Sequence, residues 1–147
     1  MRDDISLVWP ASGTMQVILL PGGGCTVKFI FADRGIVRSV SKGQIVKVRN
    51  IPTKRIAQHY EIIVRHDDAF ESSYGIVDQT PHLPVGGTGR IGTPGTFVED
   101  GDELYDIRNG GILHFQLYRA GRLVDPRTHI RAVFDGTIEA SRPSVEQ

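Results

Sequence analysis

Apolar and polar residues alternate along much of this chain with a period of two. The clearest run is Gly110 to Arg119. Leu113, Phe115 and Leu117 fall on one side of an extended strand, and Ile112, His114, Gln116 and Tyr118 on the other. Arg119-Ala120-Gly121-Arg122 closes that strand as a tight turn. Upstream, Ile5 to Pro10 is a short apolar opening that Ala11-Ser12-Gly13 turns. Met15 to Leu20 reads as a strand stopped by Pro21-Gly22-Gly23-Gly24. Cys25 to Phe31 follows, with Val27, Phe29 and Phe31 on one face. Gly35 to Val48 predicts two short strands around Ser41-Lys42-Gly43. His59 to His66 predicts a strand ended by Asp67-Asp68, with Ser72 to Val77 as its hairpin partner. Phe97 to Ile107 has the shape of a strand that turns tightly back on itself, and Pro52 to Ala57 and Thr80 to Thr96 read as loops. Thr128 to Phe134 is a short helix or strand.

About ten short β segments, frequent glycine and no pattern of a three-turn helix predict an all-β sandwich or barrel. The 147 residues suffice for one domain with a single core, placed here at 1–135 with a flexible tail at 136–147. Lys plus Arg equals Asp plus Glu at 17 each, so the totals give no electrostatic support for nucleic acid or an anionic membrane. A lone cysteine, Cys25, excludes an intrachain disulfide. Met1-Arg2-Asp3-Asp4 is charged and no long apolar run follows, so neither a secretory signal nor a transmembrane helix is expected, and the compartment stays open. Gly86-Gly87-Thr88-Gly89 lacks the lysine and following helix of a phosphate loop.

Several segments, in this order, resemble the lysostaphin-type zinc endopeptidases of peptidoglycan. They are Trp9-Pro10-Ala11-Ser12-Gly13, the stretch Gly35 to Val48, the hairpin from His59 to Val77, the segment Val98 to Leu104, Leu113-His114-Phe115-Gln116 and finally Val124-Asp125-Pro126. The resemblance covers about residues 5–130 and implies the antiparallel β-sandwich of the duplicated hybrid motif. In that family the last strand carries a His-x-His pair. Residues two apart in a strand share a face, so one histidine ligates zinc while the other serves the attacking water. Here the second position is His114 and the first is Ile112.

The resemblance also implies a first zinc ligand near Cys25, a ligand aspartate near Phe29 and an auxiliary histidine at Ile76. Apolar residues thus stand where the active family needs charge or proton transfer. From the residues alone, His114 is a partly buried histidine bonded to backbone or to Gln116, and Cys25 is a small buried hydrophobe. His66 reads as a surface histidine, His59, His82 and His129 have no partner at metal-site spacing, and Glu99, Asp100, Asp102 and Glu103 form a solvated turn. Two functions follow. One is an inactive relative of the peptidases, without cofactor, acting as a binding or assembly module with a protein partner, for example as a virion or tail-associated structural component, or with peptidoglycan as its ligand. The other is a zinc metalloendopeptidase cleaving peptidoglycan cross-bridge peptides with an atypical ligand set that recruits Cys25, His82 or His66.

Overall fold

The structure, a computed structural model, describes residues 7–20, 26–50, 58–67, 69–78, 94–126 and 144–145. Among the described residues ten strands form, in chain order: β1 (Ala11–Leu20), β2 (Thr26–Arg38), β3 (Gly43–Asn50), β4 (Gln58–Arg65), β5 (Phe70–Asp78), β6 (Phe97–Val98), β7 (Glu103–Ile107), β8 (Gly111–Arg119), β9 (Arg122–Val124) and β10 (Ser144–Val145). Among the described residues there is no α-helix, and none long and apolar enough to cross a membrane.

The strands share one hydrogen-bonded sheet in the order β10-β1-β2-β8-β5-β4-β3-β6, with β7 also beside β2 and β9 beside β8. All pairings are antiparallel except β1 with β10. One core cluster runs from Met15 on β1 to Val98 on β6, so the sheet curls and closes one face on itself. The all-β, antiparallel class read from the alternation is the class observed.

The centre is β8, paired with β2 on one side and β5 on the other. Leu113, Phe115 and Leu117 are all fully buried, as the alternation requires. Val27, Phe29 and Phe31 on β2 and Tyr74 and Ile76 on β5 share that core face. Trp9 meets Phe29 edge-on, their ring centres 6.0 Å apart.

Three expectations are corrected. Ala11-Ser12-Gly13 is not a turn: β1 runs through it, and a bulge between Gly13 and Met15 takes up the irregularity. Nor does Phe97 to Ile107 fold back on itself. A tight turn exists there, with the Glu99 amide donating to Asp102 Oδ2 at 2.8 Å, but β6 pairs with β3 and β7 with β2. Finally, Gly35 does not start a new strand, because β2 continues from Thr26 to Arg38.

That length has a consequence for the segment before β8. β2 pairs with β8 through Val27–Phe31 and with β7 through Gly35–Arg38. Arg108-Asn109-Gly110 is therefore a kink between two strands on the same neighbour. Gly110 sits there at φ 92°, a conformation that a side chain would strain, and its amide donates to the Asp33 carbonyl. Across the kink Asp106 accepts two hydrogen bonds from Arg34, at 3.2 and 2.9 Å.

Candidate functional site

The register sorts the sequence-predicted site residues onto two faces. Phe29 and Ile76 both lie opposite Leu113, on either side of it, and all three are fully buried in the core. Ile112 and His114, one step away along β8, point to the opposite face and are half-buried. Directly opposed residues in an antiparallel pair project to the same side. Phe29 and Ile76 therefore do not converge with Ile112 and His114. Cys25 and His82 lie outside the described residues.

On the outer face, Ile112 stands between Ile30 and Val77, and His114 between Lys28 and Gly75. Ile30, Ile112 and Val77 form an apolar row where water-handling side chains would be needed for hydrolysis. Further along this face Gln116 donates to Thr26 Oγ1 at 2.8 Å, and the Tyr118 hydroxyl donates to Gln116 Oε1 at 3.1 Å. Beyond them lies a surface cleft of about 340 Å³, lined by Arg65, Ala69, Glu71, Tyr118, Ala120 and Gly121. Arg65 donates twice to Glu71 Oε2 there, at 3.1 and 3.0 Å.

Zinc in a catalytic site needs about three converging protein ligands and an open position. Of the positions the resemblance points to, only His114 among the described residues carries a side chain able to ligate. No group of three or more His, Cys, Asp or Glu residues that could hold a metal occurs among the described residues. The described residues do not fit zinc.

Among the described residues, two polar constellations with buried members lie elsewhere. At the end of β5, the fully buried Asp78 accepts a short hydrogen bond from the Tyr105 hydroxyl on β7. The Tyr60 and Tyr105 rings are tilted against each other with centres 5.3 Å apart. Burial, and then the Asp78 carboxyl, push the phenol of Tyr105 well above its ordinary range, and burial with Asp78 raises Tyr60 in the same direction. Tyr105→Phe keeps the ring but removes the donor to a buried oxygen. It is expected to lower stability by about 1–3 kcal/mol in urea unfolding, and a loss below about 0.5 kcal/mol would show that Asp78 does not depend on the phenol.

The second constellation surrounds His66, which is half-buried and held at both ring nitrogens rather than free on the surface: Nδ1 lies 2.9 Å from the Lys42 carbonyl and Nε2 lies 2.8 Å from Ser72 Oγ. Ser72 Oγ in turn lies 2.8 Å from the Tyr74 hydroxyl, which accepts the Val40 amide at 3.0 Å. Burial raises the Tyr74 phenol to about 12. Ser72 is fully buried, so this histidine–serine contact offers no accessible nucleophile. The sequence held a signal for it. Ser72 and Tyr74 are polar atoms at core positions of a strand, and buried hydroxyls need partners.

The architecture defined so far is a curled, all-antiparallel β domain with an apolar patch at the middle of its outer face. That architecture is shared with Helicobacter pylori Csd3. The Csd3 structure from the hexagonal crystal matches with a TM-score of 0.61 at 16% identity over 91% of this chain. The structure from the orthorhombic crystal matches at 0.58 and 18% identity, again over 91% of this chain. The chain spans 35% and 37% of the length of those Csd3 chains. No protein-family description matches the chain. No curated protein matches it by sequence.

Proposed function

We propose that this chain is a catalytically inactive, peptidoglycan-endopeptidase-like domain that serves as a binding or assembly module for a protein partner. The observation that carries this reading is the row Ile30–Ile112–Val77 on the outer face. Where the resemblance puts the histidine that handles the proton, three aliphatic side chains stand side by side. An aliphatic row repels water and supplies neither base nor acid, and one general acid–base is worth about 10²–10⁴-fold in rate. The likeness of fold to Csd3 over most of the chain supports the peptidase-like part of the reading.

The test is turnover. Wild type and His114→Ala, each with excess zinc, are incubated with cross-linked muropeptides, and new amino termini are counted. Neither protein is expected to release any. Release by wild type that His114→Ala abolishes would make the chain a zinc endopeptidase and overturn the proposal.

A further inference from the structure

We propose that the cleft between the β4–β5 turn and the β8–β9 turn binds a free α-amino acid with an apolar side chain, its carboxylate on Arg65 and its ammonium on Glu71. The register puts the charged groups there. Arg65 on β4 lies directly opposite Glu71 on β5, and Glu71 directly opposite Tyr118 on β8, so these side chains stand in one row on the outer face. Ala69, Ala120 and Gly121 complete the lining of this space of about 340 Å³. Ligand clefts run from about 300 to 1,000 Å³, so this one suits a small molecule. Binding there does not depend on whether the chain hydrolyses peptides.

The ion pair in the cleft is only half used. Arg65 spends Nε and Nη2 on one oxygen, Glu71 Oε2, at 3.1 and 3.0 Å. Nη1 and Glu71 Oε1 have no hydrogen-bond partner among the described residues. The two side chains are 57% and 36% exposed, and a pair so open to water adds little to stability. The neighbouring cation, Arg119, stands instead over the Phe70 ring, 5.7 Å from its centre. The pair decides what a ligand can carry. A lone anion on Arg65 meets the Glu71 carboxylate, and a lone cation on Glu71 meets the guanidinium. A zwitterion answers both: its carboxylate accepts from Nη1 and its ammonium donates to Oε1. In an α-amino acid the two charges flank a single carbon, so one small molecule reaches both halves of one ion pair.

The walls are fixed in advance. The Tyr118 hydroxyl is tethered to Gln116, and Gln116 to Thr26, which leaves the Tyr118 ring for apolar contact. The two turns are tied to each other, because the Ala120 amide donates to the Ala69 carbonyl at 2.6 Å. Asp67 Oδ1 accepts the Ala69 and Phe70 amides, at 2.7 and 2.9 Å, and so fixes the first turn. In the second turn Ala120 holds φ 51° and Gly121 φ 79°. Positive φ at both positions of a two-residue hairpin loop favours Asn-Gly or Asp-Gly and strains an alanine. Ala120 is the one non-glycine residue at positive φ among the described residues. The strained position thus puts a methyl group, not a polar side chain, beside the cleft. A Cβ on Gly121 would meet nothing within 4 Å. Small groups leave space for the ligand's own side chain, and walls already in place cost little ordering on binding.

The test is a titration of the chain followed by its backbone amide NMR spectrum. The probes are leucine in its L and D forms, N-acetyl-leucine, which lacks the ammonium, and leucinamide, which lacks the carboxylate. Leucine in at least one form is expected to shift the amides of Ala69, Glu71, Tyr118, Ala120 and Gly121 saturably, with a Kd below about 10 mM. Each blocked probe gives up one charge-assisted hydrogen bond and is expected to bind at least about fivefold more weakly. Arg65→Gln and Glu71→Gln should each weaken leucine by at least the same factor. The proposal is overturned if neither form of leucine saturates shifts at these amides in that range, or if a blocked probe binds within that factor of leucine. It is overturned too if either variant, folded, binds leucine within that factor of wild type. The first two results come from wild type alone and hold even if a variant fails to fold.

Discussion

Phe115→Ala lowers the free energy of unfolding by about 3–5 kcal/mol, the usual cost of removing a buried phenyl ring. The ring is fully buried at the middle of the central strand. Val27 flanks it on β2 and Tyr74 on β5, and the Tyr74 and Phe115 ring centres are 5.4 Å apart. Deleting it removes the contact that joins three strands and leaves a cavity that strands pinned by hydrogen bonds on both sides cannot close. Chemical denaturation measures the loss. A value below about 1 kcal/mol would mean that Phe115 faces away from the core.

The second large effect is expected at a glycine. Gly111 lies between Phe31 on β2 and Asp78 on β5. A Cβ there would stand 2.4 Å from the Val77 carbonyl oxygen and 3.2 Å from Ile107 Cγ2. The obstacle is backbone of a paired strand, so β5 and β8 must separate locally to admit it. Gly111→Ala should cost about 2–3 kcal/mol, in the range of overpacked cores. Gly75→Ala is the control. Its Cβ would meet the Cβ and carbonyl oxygen of His114 at an ordinary 3.6 Å. Because glycine inside a strand is itself unfavourable by roughly 0.5–1 kcal/mol, this alanine should be neutral or stabilising. Equal losses from the two alanines would contradict the register of β5 against β8.

Much of this fold was legible because a strand has only two faces. The alternation at Leu113, Phe115 and Leu117 and at Val27, Phe29 and Phe31 named the core sides of β8 and β2 without any knowledge of their pairing. The same parity, carried one step further, separates Phe29 from His114. If Phe29 shares the face of the core and His114 opposes it, no single metal site holds both positions. Pairing was the missing fact, because alternation says which side a residue takes and not which strand lies beside it. For that reason Ile30, Val77, Lys28 and Gly75 were not legible as the neighbours of Ile112 and His114. The tight turn at 99–102 hid pairing in another way. Its acidic residues mark a turn correctly, but a turn does not decide whether its flanks pair with each other, and here β6 and β7 join distant parts of the sheet. The partners of His66 were not legible either, because they come from Lys42 and Ser72, one of them a backbone carbonyl that no side-chain pattern announces.

The most direct measurement of the central claim is metal content. The protein is purified without added metal or chelator, and bound zinc is determined by mass spectrometry alongside His114→Ala. With Ile112 and Phe29 in place of an imidazole and a carboxylate, and with Phe29 turned to the opposite face from His114, far less than one equivalent of zinc per chain is expected in either protein. One equivalent in wild type, lost in His114→Ala, would contradict the account.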